Sequence, residues 1–339
     1  MTNIVEIPSL IDMHCHLRDP GFSDKETIET GAESAKKGGF LTICPMPNTD
    51  PACDSVEVLH YIREKSKNLD VRILPVACVT KNLNSLELVD FKKLKEEGAI
   101  AFSNDGLPIL DKNVFKQALE SGELIISHCE EETAEVKWQI EKFTEVLREG
   151  KILPKLHFAH ISKKESIDLI REAKKNVPSI LDWNFGGDFP SLSAETCPHY
   201  FTFTKSDLTS NGVFKMNPPL GDEKDKNAVI EALFDGTIDV ISTDHAPHLV
   251  EQKLLPYSES PNGIVGFETA FSLALQIFPL DLIGEKMSIN PMKILKINNE
   301  KTIKIDLDKE WIVESKNFST KCKISPYEGM KLKGKIIWE

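Results

Sequence analysis

LIDMHCH, residues 10–16, is an apolar run that ends in two histidines one residue apart. Apolar residues at successive positions suit a parallel strand covered on both faces rather than an antiparallel strand with one wet face. Segments of the same kind recur at residues 41–45, 72–79, 99–103, 124–128, 155–160, 193–198 and 239–243. Between them lie amphipathic stretches with helical spacing, at 26–37, 55–67, 86–96, 113–120, 134–149, 163–175 and 225–234, and another at 268–278 follows the last strand. Glycines stand just past several helix ends (Gly38, Gly39, Gly98, Gly122, Gly150), a usual helix stop. Eight such β/α units predict an α/β fold, a (β/α)8 TIM-type barrel, over residues 1–298. From 299 to 339 the pattern changes. TIKIDLDKEWIVES and GKIIWE alternate like short antiparallel strands, which predicts a small, truncated β appendage formed by the C-terminal tail.

The rest of the composition narrows the class. Hydrophobic residues are 40% and charged residues 28%, as in soluble globular proteins. No apolar run approaches the roughly 18 residues of a membrane span. The start, MTNIVEIPSLIDMH, lacks the basic and apolar regions of a signal peptide. Seven cysteines, scattered and without a CxxC, fit free thiols in a reducing cytoplasm. A net charge of −12 argues against nucleic acid as a main partner and leaves room for a small molecule. An anionic substrate would need a local cation.

Titratable residues gather where the predicted strands end. The first strand ends in His14 and His16, which strand alternation places on one face. The fourth runs into Asp105, the fifth ends in His128, the sixth in His160 and the eighth in Asp244. The HxH pair alone does not separate a metal ligand from a structural histidine. Four histidines and two carboxylates at one end of different strands do, because such crowding costs free energy unless a cation offsets it. Imidazole and carboxylate ligands suit Zn2+, one or two ions, with Mn2+ or Co2+ as alternatives. With two ions, Asp105 is the expected bridge. Asp244 is the expected catalytic residue, placed to take a proton from water and pass it to a leaving nitrogen. The other histidines read differently. His60 lies mid-helix. His157, three residues before His160, should face the opposite side of its strand, which favours a structural role. His199 has either a structural or a supporting role. Of His245 and His248, the latter is expected to face the substrate.

The ordered segments IDMHCHLRDPG, KETIETG, MPNTDP, AFSNDG, HCEE, HFAHIS, AETCPHY, MNPPL, DVISTDHAPH and GIVGFETA resemble the bacterial type I dihydroorotases of the amidohydrolase superfamily. The resemblance covers about residues 10–295, and SPYEGMKLKGKI resembles the family's closing strands. It implies interconversion of N-carbamoyl-L-aspartate and L-dihydroorotate in pyrimidine synthesis. It also implies that His14, His16 and Asp244 hold one zinc, that His128 and His160 hold a second, and that Asp105 bridges where other superfamily members use a carboxylated lysine. By the same matches Arg18 pairs with the substrate carboxylate, Asn48 and His248 complete that subsite, Asn217 contacts the ring amide, and backbone around Asn262 and Gly263 contacts it too. The competing role for Arg18 is a rim salt bridge with Asp19 or Asp24.

Three departures stand out. About ten residues precede the first strand, where relatives usually have some fifty that begin a β-sandwich, so the tail forms half a sandwich or finds partner strands in another chain. Gly221 stands where the family usually has arginine. Residues 178–192 look like an insertion. The first alternative function is a hydantoinase, dihydropyrimidinase or allantoinase, whose substrates lack this carboxylate; Arg18 with Asn48 discriminates against it. The second is an inactive partner of aspartate transcarbamoylase, against which the retention of all six ligands argues. Assembly as a homo-oligomer or with aspartate transcarbamoylase is compatible with the short N-terminus.

Overall fold

The computed structural model describes residues 3–177 and 191–338. Ile4–Pro8 (β1) leads into Leu10–Cys15 (β2), which pairs in parallel with Phe40–Pro45 (β3), and β3 pairs with Arg72–Ile73 (β4). A six-stranded parallel sheet follows: Ala77–Cys78 (β5), Phe102–Ser103 (β6), Leu124–Ser127 (β7), Lys155–Phe158 (β8), Leu192–Thr196 (β9) and Val240–Ile241 (β10). Strands β2, β3, β7 and β9 are buried at every position, including the polar residues that β2 and β9 carry among their apolar ones.

Backbone hydrogen bonds join the two parallel sheets at both edges. Leu74 and Val76 donate to the carbonyls of Ile43 (2.9 Å) and Pro45 (3.0 Å), while Ile100 donates to the carbonyl of Pro75 (2.9 Å). Residues 72–78 therefore serve β3 on one side and β6 on the other. Pro75 has no N–H to give, which divides the expected 72–79 strand into β4 and β5. At the other edge Asp244 donates to the carbonyl of His14 (3.0 Å) and His16 to that of His245 (2.7 Å).

The helices between strands are Ile28–Lys37 (α1), Val56–Ser66 (α2), Phe91–Glu96 (α3), Lys112–Glu120 (α4), Glu132–Glu149 (α5) and Lys164–Asn176 (α6). Beyond β9 come Pro198–Thr202 (α7), Glu223–Asp235 (α8), Val250–Lys253 (α9) and Phe267–Leu275 (α10). Two of them, α1 and α3, begin two or more residues later than their periodicity suggests. Helix α1 starts at Ile28 because Thr27 caps it, its side chain accepting from Thr30 N. Helix α3 spans six residues because Leu88 bridges back to Thr80, and Asp90 then caps the helix.

Thr302–Ile312 (β11) and Lys331–Ile337 (β12) pair antiparallel, as the alternation of the tail predicts. The expectation drew this sheet from the tail alone, yet β1 adds a third strand in the order β1-β11-β12. Ile303, Ile305 and Leu332 point inward and are buried. The outward face carries ion pairs, Lys331 with Glu310 (2.7 Å) and Lys333 with Asp308 (3.2 Å). The same outward face also exposes Ile4 and Ile312 among these charges. Gly221, the departure after MNPPL, sits with its would-be Cβ 2.5 Å from Asp225 Oδ2, so the carboxylate that accepts from the backbone N–H of Asp222, the N-cap of α8, fills the space of a side chain. Most of the 178–192 stretch (178–190) lies outside the described residues.

Candidate active site

All six expected ligands lie at the C-terminal ends of parallel strands, and all six are buried. His14 is the penultimate residue of β2 and His16 follows it; Asp105 follows β6, His128 follows β7, His160 stands beyond β8 and Asp244 beyond β10. His160 (φ 37°) and Asp244 (φ 45°) occupy the left-handed region. That conformation costs of order 1–2 kcal/mol for an L-residue and is retained where the surroundings require it. The turn at His160 also defeats the parity argument for His157. Rather than facing away, His157 is fully buried and approaches Glu195 Oε2 at 3.1 Å, beneath the same cluster.

The reactive atoms converge closely. His14 Nε2 lies 3.3 Å from His128 Nε2 and 3.4 Å from Asp244 Oδ1. His16 Nε2 stands between Asp244 Oδ1 (3.1 Å) and Asp105 Oδ2 (3.2 Å), and Asp105 Oδ1 reaches His128 Nε2 at 3.2 Å. Asp105 thus spans the two histidines with its two oxygens. Ligand atoms of His14, His16 and Asp244 lie within 4.8 Å of one another, as do those of His14, His128 and His160. His14 belongs to both groups.

The far nitrogens are fixed from behind. His14 Nδ1 is 2.7 Å from Glu195 Oε1, His16 Nδ1 is 2.9 Å from Asn48 Oδ1, and His128 Nδ1 is 3.0 Å from Ser103 Oγ. Such partners set the tautomer and aim Nε2 at the centre. Glu195 escaped the sequence reading. Its only signal is a carboxylate inside an otherwise buried strand, AET, and its partner His14 is 181 residues away. Glu195 also accepts from Ser242 Oγ at 2.6 Å. Asp12, equally buried, accepts from Thr243 N and Oγ1 and ties β2 to the segment bearing Asp244.

Burial and neighbouring charge oppose each other at His14, Asp105, Asp244 and His128, and which one prevails differs between them. Burial lowers the pKa of His14, but Asp244 and Glu195 outweigh it and raise it to about 10. For Asp105 burial works upward, and His128 and His16 bring the carboxyl down to about 2. Asp244 is held well below the usual carboxylate range by His14 and His16, again against burial. His128 falls to about 3, chiefly through burial. The carboxylates therefore demand positive charge at His14, and a dication at the same point would displace that proton. The buried Nδ1 of His160 has no hydrogen-bond partner among the described residues. Donor type, convergence and this unsatisfied nitrogen all fit a metal ion.

Beside the cluster lies a cavity of about 270 Å3, lined by every expected site residue except His14, which is fully buried. Arg18 donates from Nε to the carbonyl of Pro247 (3.2 Å), and its Nη2 lies 3.3 Å from His248 Nε2. Of the two competing rim partners, Asp19 is taken up elsewhere, accepting from Tyr61 Oη (2.8 Å) and Lys65 Nζ (2.9 Å). Asn48 Nδ2 donates to Asp105 Oδ2 at 2.9 Å, so both ends of this amide already serve the cluster. His248 Nε2 approaches the carbonyl of Asn262 at 2.7 Å, leaving Nδ1 unpartnered. Asn217 and Asn262 are exposed at the mouth, and Gly263 is buried. His245 points elsewhere: it stacks on Phe267 and approaches Glu26 Oε2 at 3.5 Å. His60 pairs on the surface with Glu97. His199 is buried against Tyr200, with neither ring nitrogen partnered among the described residues.

This fold is shared with hydantoinases and dihydroorotases among solved structures. An L-hydantoinase (dihydropyrimidinase) from Arthrobacter aurescens superposes with a TM-score of 0.82 at 22% identity, covering 98% of this chain and 83% of that one. A Saccharomyces cerevisiae dihydroorotase, in complex with 5-fluoroorotic acid, superposes with a TM-score of 0.77 at 16% identity, covering 100% and 99%. The family model described as Dihydro-orotase-like matches residues 4–153. A dihydroorotase of Acetivibrio thermocellus is 38% identical over 98% of this chain and 85% of its own length. One from Caldanaerobacter subterraneus is 37% identical over 97% and 83%. The chain belongs to the dihydroorotase family.

Proposed function

We propose that this chain is a dihydroorotase, interconverting N-carbamoyl-L-aspartate and L-dihydroorotate in pyrimidine synthesis. The observation that carries the reading is that Arg18 lines the same cavity as the His/Asp cluster. A guanidinium can fork onto a carboxylate while the amide to be cleaved faces the cluster. His14, His16 and Asp244 would hold one zinc, and His128 and His160 a second, with Asp105 bridging. When bound, the metal would supply Lewis acidity for the amide carbonyl and for water.

The chain's own residues do the rest. Asp244, an ionised carboxylate, accepts the proton of the attacking water and delivers it to the ring nitrogen. In the reverse direction it returns that proton to the departing oxygen. Arg18 and His248 position the substrate carboxylate, and Asn48 adds the second N–H of its amide to it. Asn217 and the backbone of Asn262 and Gly263 close on the ring.

The two parallel sheets, bonded at both edges, are read as one closed (β/α)8 barrel over residues 1–298, with β1 shared by the small sheet of 299–339. The seven free, buried cysteines suit a reducing cytoplasm. No helix among the described residues is long and apolar enough to cross a membrane.

The test is an assay of the metal-loaded protein with dihydroorotate, hydantoin and allantoin side by side. Turnover of dihydroorotate alone is expected; turnover of hydantoin or allantoin without dihydroorotate would overturn the reading.

A further inference from the structure

The loop after β10 carries a lysine where a loop has little reason to bury one. Lys253 ends α9 and is 2% exposed. Its ammonium donates to the carbonyl of Lys215 (3.0 Å) and to that of Pro261 (3.0 Å). Burial, aided by the charge of Lys215, lowers its pKa to about 8 even though Cys322 acts the other way. A cation kept at such a cost is held by what it binds.

Its acceptors sit at informative places. The carbonyl of Lys215 also accepts from Gly263 N at 3.0 Å, and Lys215 is two residues before Asn217. Pro261, Asn262 and Gly263 are then fixed one after another: Pro261 by Lys253, Asn262 by His248 and Gly263 by Lys215. The two loops approach too closely for extra atoms. A Cβ on Gly212 would lie 1.8 Å from Ser260 Oγ, and within the loop after β10 one on Gly263 (φ 130°) would lie 2.5 Å from the carbonyl of Ala246. Further bonds run from Gly212 N to Leu255 O (3.1 Å) and from Tyr257 N to Ser210 O (2.9 Å).

We propose that Lys253 is a positioning residue that clamps the loop bearing His248, Asn262 and Gly263 onto the loop bearing Asn217, and so sets the substrate-facing wall of the cavity. It touches neither the His/Asp cluster nor the cavity. Its effect on the reaction rests on reading that cavity as the substrate site, whereas its effect on the two loops does not.

The test compares wild type with Lys253→Met, which keeps the stem and removes the three donors. The expected result is a KM for dihydroorotate raised by about tenfold or more, the equivalent of about 1.4 kcal/mol, with a smaller fall in kcat. Metal content should be unchanged, and thermal stability should not fall in proportion. Amide hydrogen exchange should accelerate across residues 211–217 and 249–263 and nowhere else. A residue that merely supports folding would lower stability and the amount of active protein without moving KM. Wild-type KM in the variant, with an active wild type, overturns the role in substrate binding. Unchanged exchange in both loops overturns the clamp itself, whether or not the wild type turns over dihydroorotate.

Discussion

Replacing Glu195 by glutamine probes how the cluster is held ready. The carboxylate faces three donors: His14 Nδ1 at 2.7 Å, His157 Nε2 at 3.1 Å and Ser242 Oγ at 2.6 Å. An alanine would strand them all in a dry interior at about 1–3 kcal/mol each, enough to unfold the chain. Glutamine has the same shape. With its oxygen toward His14, its amide nitrogen meets Ser242, whose hydroxyl can turn to accept, and His157, whose Nε2 can give up its proton while Nδ1 donates to Ser193 Oγ (2.8 Å). What is lost is the negative charge behind His14. Partners of this kind are worth about 10–100-fold in metal affinity, or about 1.4–2.7 kcal/mol. A chelator-competition titration with zinc reads the affinity directly, and a thermal melt confirms the fold. Affinity equal to wild type in a folded variant would refute the claim that Glu195 prepares His14 for a metal.

Other outcomes follow from single contacts. Arg18→Lys keeps the charge but loses the fork, so KM for dihydroorotate should rise about 10–100-fold with little change in kcat, as steady-state kinetics will show. Asp244→Asn should lower turnover by about 100-fold or more, and metal analysis should find the ions largely retained through the histidines. Gly263→Ala should cost about 1–3 kcal/mol in a urea titration, because its backbone is left-handed and a carbonyl fills the space of a Cβ. Lys253 makes a prediction about pH. Its folded pKa of about 8 lies below the ordinary 10.5, so between those values the unfolded chain binds the extra proton and stability gains with rising pH. That gain is at most about 3 kcal/mol at about 1.4 kcal/mol per unit. Urea titrations at pH 8 and pH 10 should show it in wild type relative to Lys253→Met; parallel curves would contradict it.

Most of the scaffold is legible in the sequence because its parallel strands are buried on both faces and read as apolar runs. The six cluster residues are legible because each ends such a run. What stayed hidden depends on contacts between distant segments. Ile4–Pro8 is a strand only because β11 pairs with it, some three hundred residues later. Glu195 matters only because His14 lies opposite, and Lys253 only because two carbonyls from separate loops meet at its ammonium. The helix expected from 26 begins two residues late because Glu26 turns back to the tail, accepting from Thr320 Oγ1 and from Lys321 N. His157 misled for a local reason: strand parity ends where His160 turns to positive φ.

The most direct test of a metal centre built for dihydroorotate measures metal content and dihydroorotate turnover on one preparation, before and after chelation and after zinc is returned. The account predicts one or two ions per chain, activity lost with the metal and restored with zinc. Full activity in metal-free protein, or bound zinc with no action on dihydroorotate, would contradict it.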